Sequence, residues 1–148
     1  KLSIHAVYGE SKLNKKDGFN GGLSISMEPY DKDSLTTKNT NVMGIFSGYA
    51  GNGFRGGFEF ETKTQDDVSG QIISAYGTYK LNDKLSILAR LDQVDTDTSK
   101  NDDGAQAIIA GVHYSVAKGL IIAPTIRVRE PEEGDSENLI VLNFQFKF

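Results

Sequence analysis

The clearest candidates for chemistry are the acidic residues of the segment DTDTSKNDDG. Asp95, Asp97 and Ser99 have the spacing of the first three ligands of a calcium-binding loop. However, Lys100 stands where the sharp turn of such a loop needs glycine. A looser divalent site on Asp95, Asp97 and Asp102 is a weaker alternative to a solvated acidic loop. The sequence therefore predicts no dedicated metal centre and no cofactor.

Other catalytic constellations are not visible in the sequence. His5 and His113 are the only histidines, and neither has a metal-ligand or nucleophile spacing around it. The glycine-rich stretch GFRGG has no helical pattern after it, which a phosphate-binding loop would need. The chain has no cysteine, so thiolate chemistry is excluded. These observations predict a protein that is not an enzyme, and the net charge of −4 argues against nucleic acid as a partner.

The elements that position these residues are strands. Short runs in which apolar and polar residues alternate are separated by clusters of Gly, Asn and Asp, and helical periodicity is almost absent. Most runs have the length of about 9–11 residues that a membrane-crossing strand needs. Composition does not break along the chain, so one domain is expected over 1–148. The nine predicted strands are 2–9, 19–29, 42–50, 54–64, 71–81, 85–94, 106–116, 120–129 and 138–148.

The connections between these strands alternate in character. Those at 50–53, 81–84 and 117–119 are tight, whereas those at 30–41, 64–70, 95–104 and 130–138 are longer and polar. The longer group carries thirteen acids against three lysines, a balance of −10 on one end of the sheet. Membrane barrels combine short turns on one side with longer loops on the other. Soluble sandwiches also mix loop lengths, but with less reason for strict alternation.

Strand parity separates an apolar face from a polar face. Charged side chains occur on the polar face of almost every strand, and so many cannot share a dry core. Counting alone also allows a soluble barrel or sandwich with its apolar residues inside. The aromatic run at the C-terminus and the loop asymmetry favour a polar interior with lipid outside, and the polar face is then predicted to line a lumen with mild anion preference. The pore-lining candidates are Arg55, Glu59, Glu61, Lys63, Lys80, Arg90, Asp92, Arg127, Arg129 and Lys147. Among them Arg90, Arg127 and Arg129 are expected to form one basic ladder on the wall. The alternative is that Arg90 and Asp92 belong to a cross-strand charge network that stiffens the barrel.

Two further expectations concern single residue types. Tyr8, Tyr49, Tyr79 and Tyr114 cluster near the tight-turn ends, where an interfacial aromatic girdle would sit, although tyrosine also simply favours strands. Pro124 removes a ladder hydrogen bond in mid-strand, so a β-bulge is expected there.

The last segment, NLIVLNFQFKF, alternates aromatic residues up to a terminal phenylalanine. It resembles the C-terminal signature of bacterial outer-membrane β-barrels, and residues 71–148 resemble the last hairpins of porin-type channels, including phosphate-selective porins. The resemblance implies that the barrel-assembly machinery reads Phe144, Phe146 and Phe148 as an assembly signal. It also implies a location in the outer membrane of a Gram-negative bacterium, among membrane lipid and lipopolysaccharide.

These observations predict an all-β protein, an antiparallel up-and-down transmembrane β-barrel that functions as a porin-like passive channel for small solutes or ions. Single-chain bacterial barrels usually have even strand numbers. With nine strands visible, this sequence is therefore expected to be the C-terminal part of a larger barrel, with a homo-oligomer or a larger membrane complex as a further possibility. The alternatives are a small closed outer-membrane barrel with a structural, anchoring or adhesive role, and a soluble β-barrel that carries a ligand.

Overall fold

The computed structural model describes residues 1–147, and nine strands account for most of them. Each of the nine predicted strands is present, and most extend a few residues beyond the alternating run that predicted them. The strands are β1 (Leu2–Gly9), β2 (Gly18–Asp31), β3 (Thr37–Gly51), β4 (Phe54–Gln65), β5 (Val68–Lys80), β6 (Leu85–Asp95), β7 (Gly104–Ala117), β8 (Leu120–Pro131) and β9 (Glu137–Phe146).

All nine strands belong to a single antiparallel sheet in chain order, so each strand pairs with its sequence neighbours. In the described part of the chain β1 and β9 are the edges of this open sheet, and they do not pair with each other. Because the directions alternate, the two edge strands run the same way. None of the described residues form a helix that is long and apolar enough to cross a membrane.

The pairing register shows that the strands are strongly staggered. A path of direct partners leads from the last residue of β1 to Leu139, which lies seven residues before the end of β9. With a rise of about 3.3 Å per residue and a strand spacing of about 4.8 Å, this stagger corresponds to a tilt of roughly 30°. Barrel strands tilt by about 35–45°. The path is Gly9, Asn20, Gly48, Gly57, Tyr76, Arg90, Ile109, Arg127 and Leu139.

One side of the sheet, the apolar face, is a continuous hydrophobic surface across all nine strands. Its residues are direct cross-strand partners, as in the row Leu23, Ile45, Phe60 and Ile73. These side chains are not covered: Ile45 is 53% exposed and Ile140 is 85% exposed. The alternation therefore places the hydrophobic residues together, but on an uncovered surface.

The opposite side, the polar face, is the more buried one. Ala50 and Ser74 are 1% and 3% exposed, and Ala123 and Thr125 are also buried. All four have polar-face partners in the register, such as Arg55 for Ala50. The few buried side chains on this face are small. The fold thus has no conventional hydrophobic core among its described residues.

The two ends of the sheet differ less in loop length than the sequence predicts. At end A the connections are residues 10–17, 52–53, 81–84 and 118–119, and at end B they are 32–36, 66–67, 96–103 and 132–136. The prediction of a long loop at 64–70 is wrong, because Gln65 pairs with Val68 across a two-residue turn. Residues 64, 65, 69 and 70 are polar or glycine, but they continue the ladder. Strict alternation of tight and long connections is therefore absent.

The expected bulge at Pro124 is also displaced. Pro124 pairs with Leu142 on β9. On the β7 side, the pairing of the two strands stops at Gly111–Thr125 and resumes at Tyr114–Ile122 in the same register. The register shift lies instead between Ser115 and Ala117, next to the end A turn. Proline interrupts the ladder locally, but it does not insert an extra residue.

Candidate functional site

The structure places the predicted pore-lining residues on one surface. Nine of them lie on strands with their side chains on the polar face, and Lys147 directly follows β9. On β4 the order from end A is Arg55, Glu59, Glu61 and Lys63. The polar face therefore carries both signs of charge on β4–β6, and mainly positive charge on β8.

A tight polar cluster joins β5 and β6. Ser74 stands directly opposite Asp92, and its buried hydroxyl donates a hydrogen bond to Asp92 Oδ1. Arg90 Nε donates to both carboxylate oxygens of Asp92, at 2.8 and 2.9 Å. The sequence offers a cross-strand charge network as an alternative role for Arg90 and Asp92. The contact across strands is with the uncharged Ser74, whereas the ion pair lies within β6. Its charges compensate one another, so the pair adds little net field to the surface.

The predicted basic ladder of Arg90, Arg127 and Arg129 is interrupted. Arg90 and Arg127 share one row of the register, but they lie on β6 and β8 with Ile109 of β7 between them. Arg127 and Arg129 are exposed, and neither forms an ion pair with any residue in 1–147. Arg127 and Arg129 are therefore uncompensated positive charges on β8, and Arg55, Lys63 and Lys147 likewise form no ion pair within residues 1–147.

The sequence did not predict the position of the 10–17 connection. It folds back over the polar face, where the Leu13 carbonyl accepts a hydrogen bond from the Arg55 guanidinium on β4. Asn20 Nδ2 donates to the Glu10 carbonyl at 3.1 Å. A cavity of about 550 Å³ lies between this segment and the sheet, lined by Leu13, Asn20, Arg55, Glu59 and Tyr76 among others. Two signals mark this feature: a lone leucine in a polar connection, and glycines at polar-face positions of adjacent strands.

At end B, Asp66 ties two connections together. It lies in the β4–β5 turn with a φ of +55°, and its carboxylate meets Lys38 Nζ at 2.8 Å and Lys32 Nζ at 3.1 Å. These contacts, led by the one with Lys38, lower the pKa of Asp66 to about 2. The buried hydroxyl of Tyr30 lies beside the same carboxylate but makes no hydrogen bond of good geometry with the described residues. The β2–β3 loop is thereby held against the neighbouring turn.

The acidic β6–β7 loop is held by hydrogen bonds and an ion pair among its own residues. Asp97 is buried, and its carboxylate accepts hydrogen bonds from the Ser99 hydroxyl at 2.7 Å and contacts Lys100 Nζ at 3.0 Å. These contacts, led by that with Ser99, lower the pKa of Asp97. Asp95 accepts a hydrogen bond from the Asp97 amide. Within residues 1–147, Asp95, Asp97 and Asp102 are not gathered with one another into a group of three metal-binding side chains.

The residues of the expected assembly signal lie on the last strand. Phe144 stands opposite Ile122 and Phe146 opposite Leu120, so both belong to the apolar face. They are 55% and 60% exposed. Phe148 lies outside the described residues. Within the described chain, β9 therefore presents two uncovered aromatic side chains beside a free sheet edge.

The predicted tyrosines form an aromatic row at end A of the apolar face. Tyr49 is the direct partner of both Phe19 and Gly56, and Tyr79 that of Phe54. The rings of Tyr49 and Phe54 stack with their centroids 6.3 Å apart. Tyr8 and Tyr114 continue the row on β1 and β7, and the four tyrosines are exposed.

Comparisons with protein-family models, with curated proteins and with solved structures give no significant match to this chain. Sequence and geometry are therefore the basis for a functional assignment.

Proposed function

We propose that this chain forms part of the wall of an outer-membrane β-barrel that acts as a porin-like passive channel for small solutes or ions. The uncovered apolar face is the observation that carries the proposal. Exposed hydrophobic patches on soluble monomers rarely exceed a few hundred Å². A surface that spans nine strands needs an apolar partner, and lipid hydrocarbon covers such a surface without further protein.

The height of the apolar band fits a membrane. Along β5 it runs from Tyr79 at end A to Gln71, where polar side chains begin on the apolar face. Eight residues at about 3.3 Å each give roughly 26 Å, or roughly 23 Å after a tilt of about 30°. Outer-membrane barrels have an apolar band about 25 Å tall, flanked by aromatic girdles. The aromatic row at end A is suited to one of these interfaces.

The same geometry weighs against a soluble ligand carrier. A soluble barrel needs its apolar side inside and its charges in water. Here the polar face is the more buried one, as Ser74 and Thr125 show, and most of the exposed large hydrophobic side chains lie on the uncovered side. The polar face is suited to an aqueous lumen, where its charges keep water contacts.

Closure of the barrel needs additional strands. The edges β1 and β9 run in the same direction, so joining them directly would create a parallel pair in an otherwise antiparallel barrel. An odd number of further strands restores antiparallel closure, and these come from the same polypeptide or from a partner. Barrels of about eight strands are filled by their own side chains, whereas those of 16–18 strands hold an aqueous channel. The proposed channel therefore requires a barrel with more strands than the nine that the structure describes.

The test is conductance in planar bilayers of the native protein, purified from membranes in detergent together with the strands that close the barrel. Discrete, voltage-tolerant current steps are the expected result, because a polar lumen conducts hydrated ions. Insertion into vesicles without conductance would instead favour a closed structural or anchoring barrel. A matched control is the variant Ile45→Asp and Phe60→Asp, which places charges on the apolar face and should abolish insertion.

A further inference from the structure

We infer that residues 10–17, called the strap from here on, form a constriction over the polar face at end A and set the ion selectivity there. This inference rests on the proposed channel function. Its starting point is a contact across the sheet, because Arg55 on β4 donates to the carbonyl of Leu13 in the β1–β2 connection. Two strand spacings, roughly 10 Å, separate β2 from β4. The strap therefore crosses the lumen-facing surface laterally instead of extending away from it.

The strap lies over a glycine of the sheet. Gly48 on β3 has no side chain on the polar face, where Leu13 of the strap approaches it. A Cβ on Gly48 would stand 3.0 Å from Leu13 Cδ1 and 2.6 Å from Asn20 Oδ1. A larger residue at position 48 would therefore force the side chains of Leu13 and Asn20 to rearrange. Glycine at position 48 therefore leaves room for Leu13 to lie close to the sheet.

Internal hydrogen bonds give the strap a defined shape. Glu10 Oε1 accepts a hydrogen bond from the Lys12 amide at 2.9 Å, and the Lys12 carbonyl accepts from the amides of Lys15 and Lys16 at 2.8 and 2.9 Å. The Lys16 ammonium lies 3.8 Å from the Glu10 carboxylate. The strap is thus a compact turn above the polar face, joined to the sheet through Asn20 and Arg55.

The strap brings positive charge to the narrowed zone. It contains Lys12, Lys15 and Lys16 against Glu10 and Asp17, and the Arg55 guanidinium lies beneath it. Lys12 and Lys15 are exposed and form no ion pair within residues 1–147. Ions shed water and feel fixed charges most strongly where a pore is narrowest. The strap lysines consequently favour anions more effectively than Arg127 and Arg129 on the open wall.

Two bilayer experiments test this role. Deletion of residues 12–16 should raise single-channel conductance by at least about twofold, because it removes the obstruction. Lys12→Gln with Lys15→Gln should move the reversal potential toward cation preference. The control Lys84→Gln with Lys118→Gln removes the same charge from two other end A turns and should have less than half of that effect. Unchanged conductance after the deletion, or equal shifts in the two charge variants, would overturn the inference.

A third measurement separates this inference from the channel proposal. The chain has no cysteine, so Leu13→Cys introduces a single thiol. In detergent, this thiol should react with a water-soluble maleimide at least about tenfold more slowly than Ser34→Cys in the β2–β3 loop, and adding Arg55→Gln should remove most of the difference. If the protein does not conduct but the thiol at position 13 is protected, the channel proposal fails while the position of the strap over the sheet is supported. Equal reactivity at both sites would refute the strap itself.

Discussion

Ser74 on β5 and Asp92 on β6 are direct cross-strand partners, and a single carboxylate satisfies both the Ser74 hydroxyl and the Arg90 guanidinium. Ser74 is buried, so it depends on this acceptor. Removing the carboxylate would leave the Ser74 hydroxyl without its acceptor and Arg90 without its counter-charge, with only the 3.5 Å contact from Arg90 Nη2 to Ser74 Oγ remaining.

Asp92→Ala should lower the free energy of unfolding by about 1–3 kcal/mol, the usual cost of leaving buried polar groups unsatisfied. Asp92→Asn should cost less, because an amide oxygen still accepts from Ser74. Glu59→Gln is the control, since Glu59 stands opposite Ser74 from β4 but forms no ion pair in the described chain. Urea unfolding in detergent micelles gives the comparison. An Asp92→Ala variant as stable as the control would contradict the prediction.

The protein should require detergent for extraction from membranes and should migrate on gels differently before and after boiling. The reason is the exposed apolar face, including Phe144 and Phe146, because contact between such a large hydrophobic surface and water is unfavourable. Detergent extraction followed by unboiled and boiled electrophoresis measures this. A monodisperse monomer in buffer without detergent would show that the face is covered in another way.

Deletion of Phe148, or its replacement by Asp, should reduce the folded yield in the outer membrane more than removal of Lys1. The resemblance to the barrel-closing signature motivates this prediction. Burial of an aromatic side chain in lipid, worth about 1.5–3 kcal/mol, adds to it. Quantification of heat-modifiable protein in membrane fractions tests it, with Phe146→Tyr as a conservative control on the same strand. Equal yields for the two truncations would count against the assembly role.

Arg127→Gln with Arg129→Gln should weaken anion preference mildly, since these two exposed cations have no compensating ion pair in the described structure. Reversal potentials in a salt gradient measure the change. Arg90→Gln is the matched control, because the charge of Arg90 is already compensated by Asp92 at 2.8 Å. A larger shift from Arg90→Gln than from the double variant would reverse this assignment.

The contact between the β2–β3 loop and the β4–β5 turn should open at low pH. The folded-state pKa of Asp66 is about 2, below the ordinary value of 3.8. Its stabilising contacts with Lys32 and Lys38 are therefore present above about pH 4 and are lost as the pH falls towards 2. Spin labels on Ser34→Cys and Asp67→Cys should report a broader distance distribution over that range. Asp66→Asn should show the broad distribution at every pH, and a pH-independent distribution without that substitution would disprove the prediction.

The strands could be predicted from the sequence because their side chains alternate so regularly. In β6 the order Leu85, Ile87, Ala89 and Leu91 on one face indicates the extended conformation, with Ser86 and Arg90 on the opposite face. The same parity identified which charged residues share a surface. Strand ends were less predictable, because Gln65 and Ser69 look like loop residues yet continue the ladder at end B, where the strands carry no hydrophobic signal.

The strap and the true neighbours of Arg127 could not be predicted in this way. Parity gives the face of a residue but not its lateral distance from another, so Ile109 between Arg90 and Arg127 becomes visible only through the register. The position of Leu13 depends on a hydrogen bond to Arg55, 42 residues further along the chain. Such contacts between a connection and a distant strand leave no periodic trace in the sequence.

The chain-order pairing of the sheet has a consequence for how such a protein can change in size. Every internal strand contacts only its sequence neighbours, so a whole hairpin can be duplicated or lost while all other strands keep their partners and directions. Loss of a single strand would reverse every strand that follows and bring the acidic connections of end B to the opposite side. Insertions and deletions among relatives of this protein should therefore come in pairs of strands, with a length near that of β7 and β8 together.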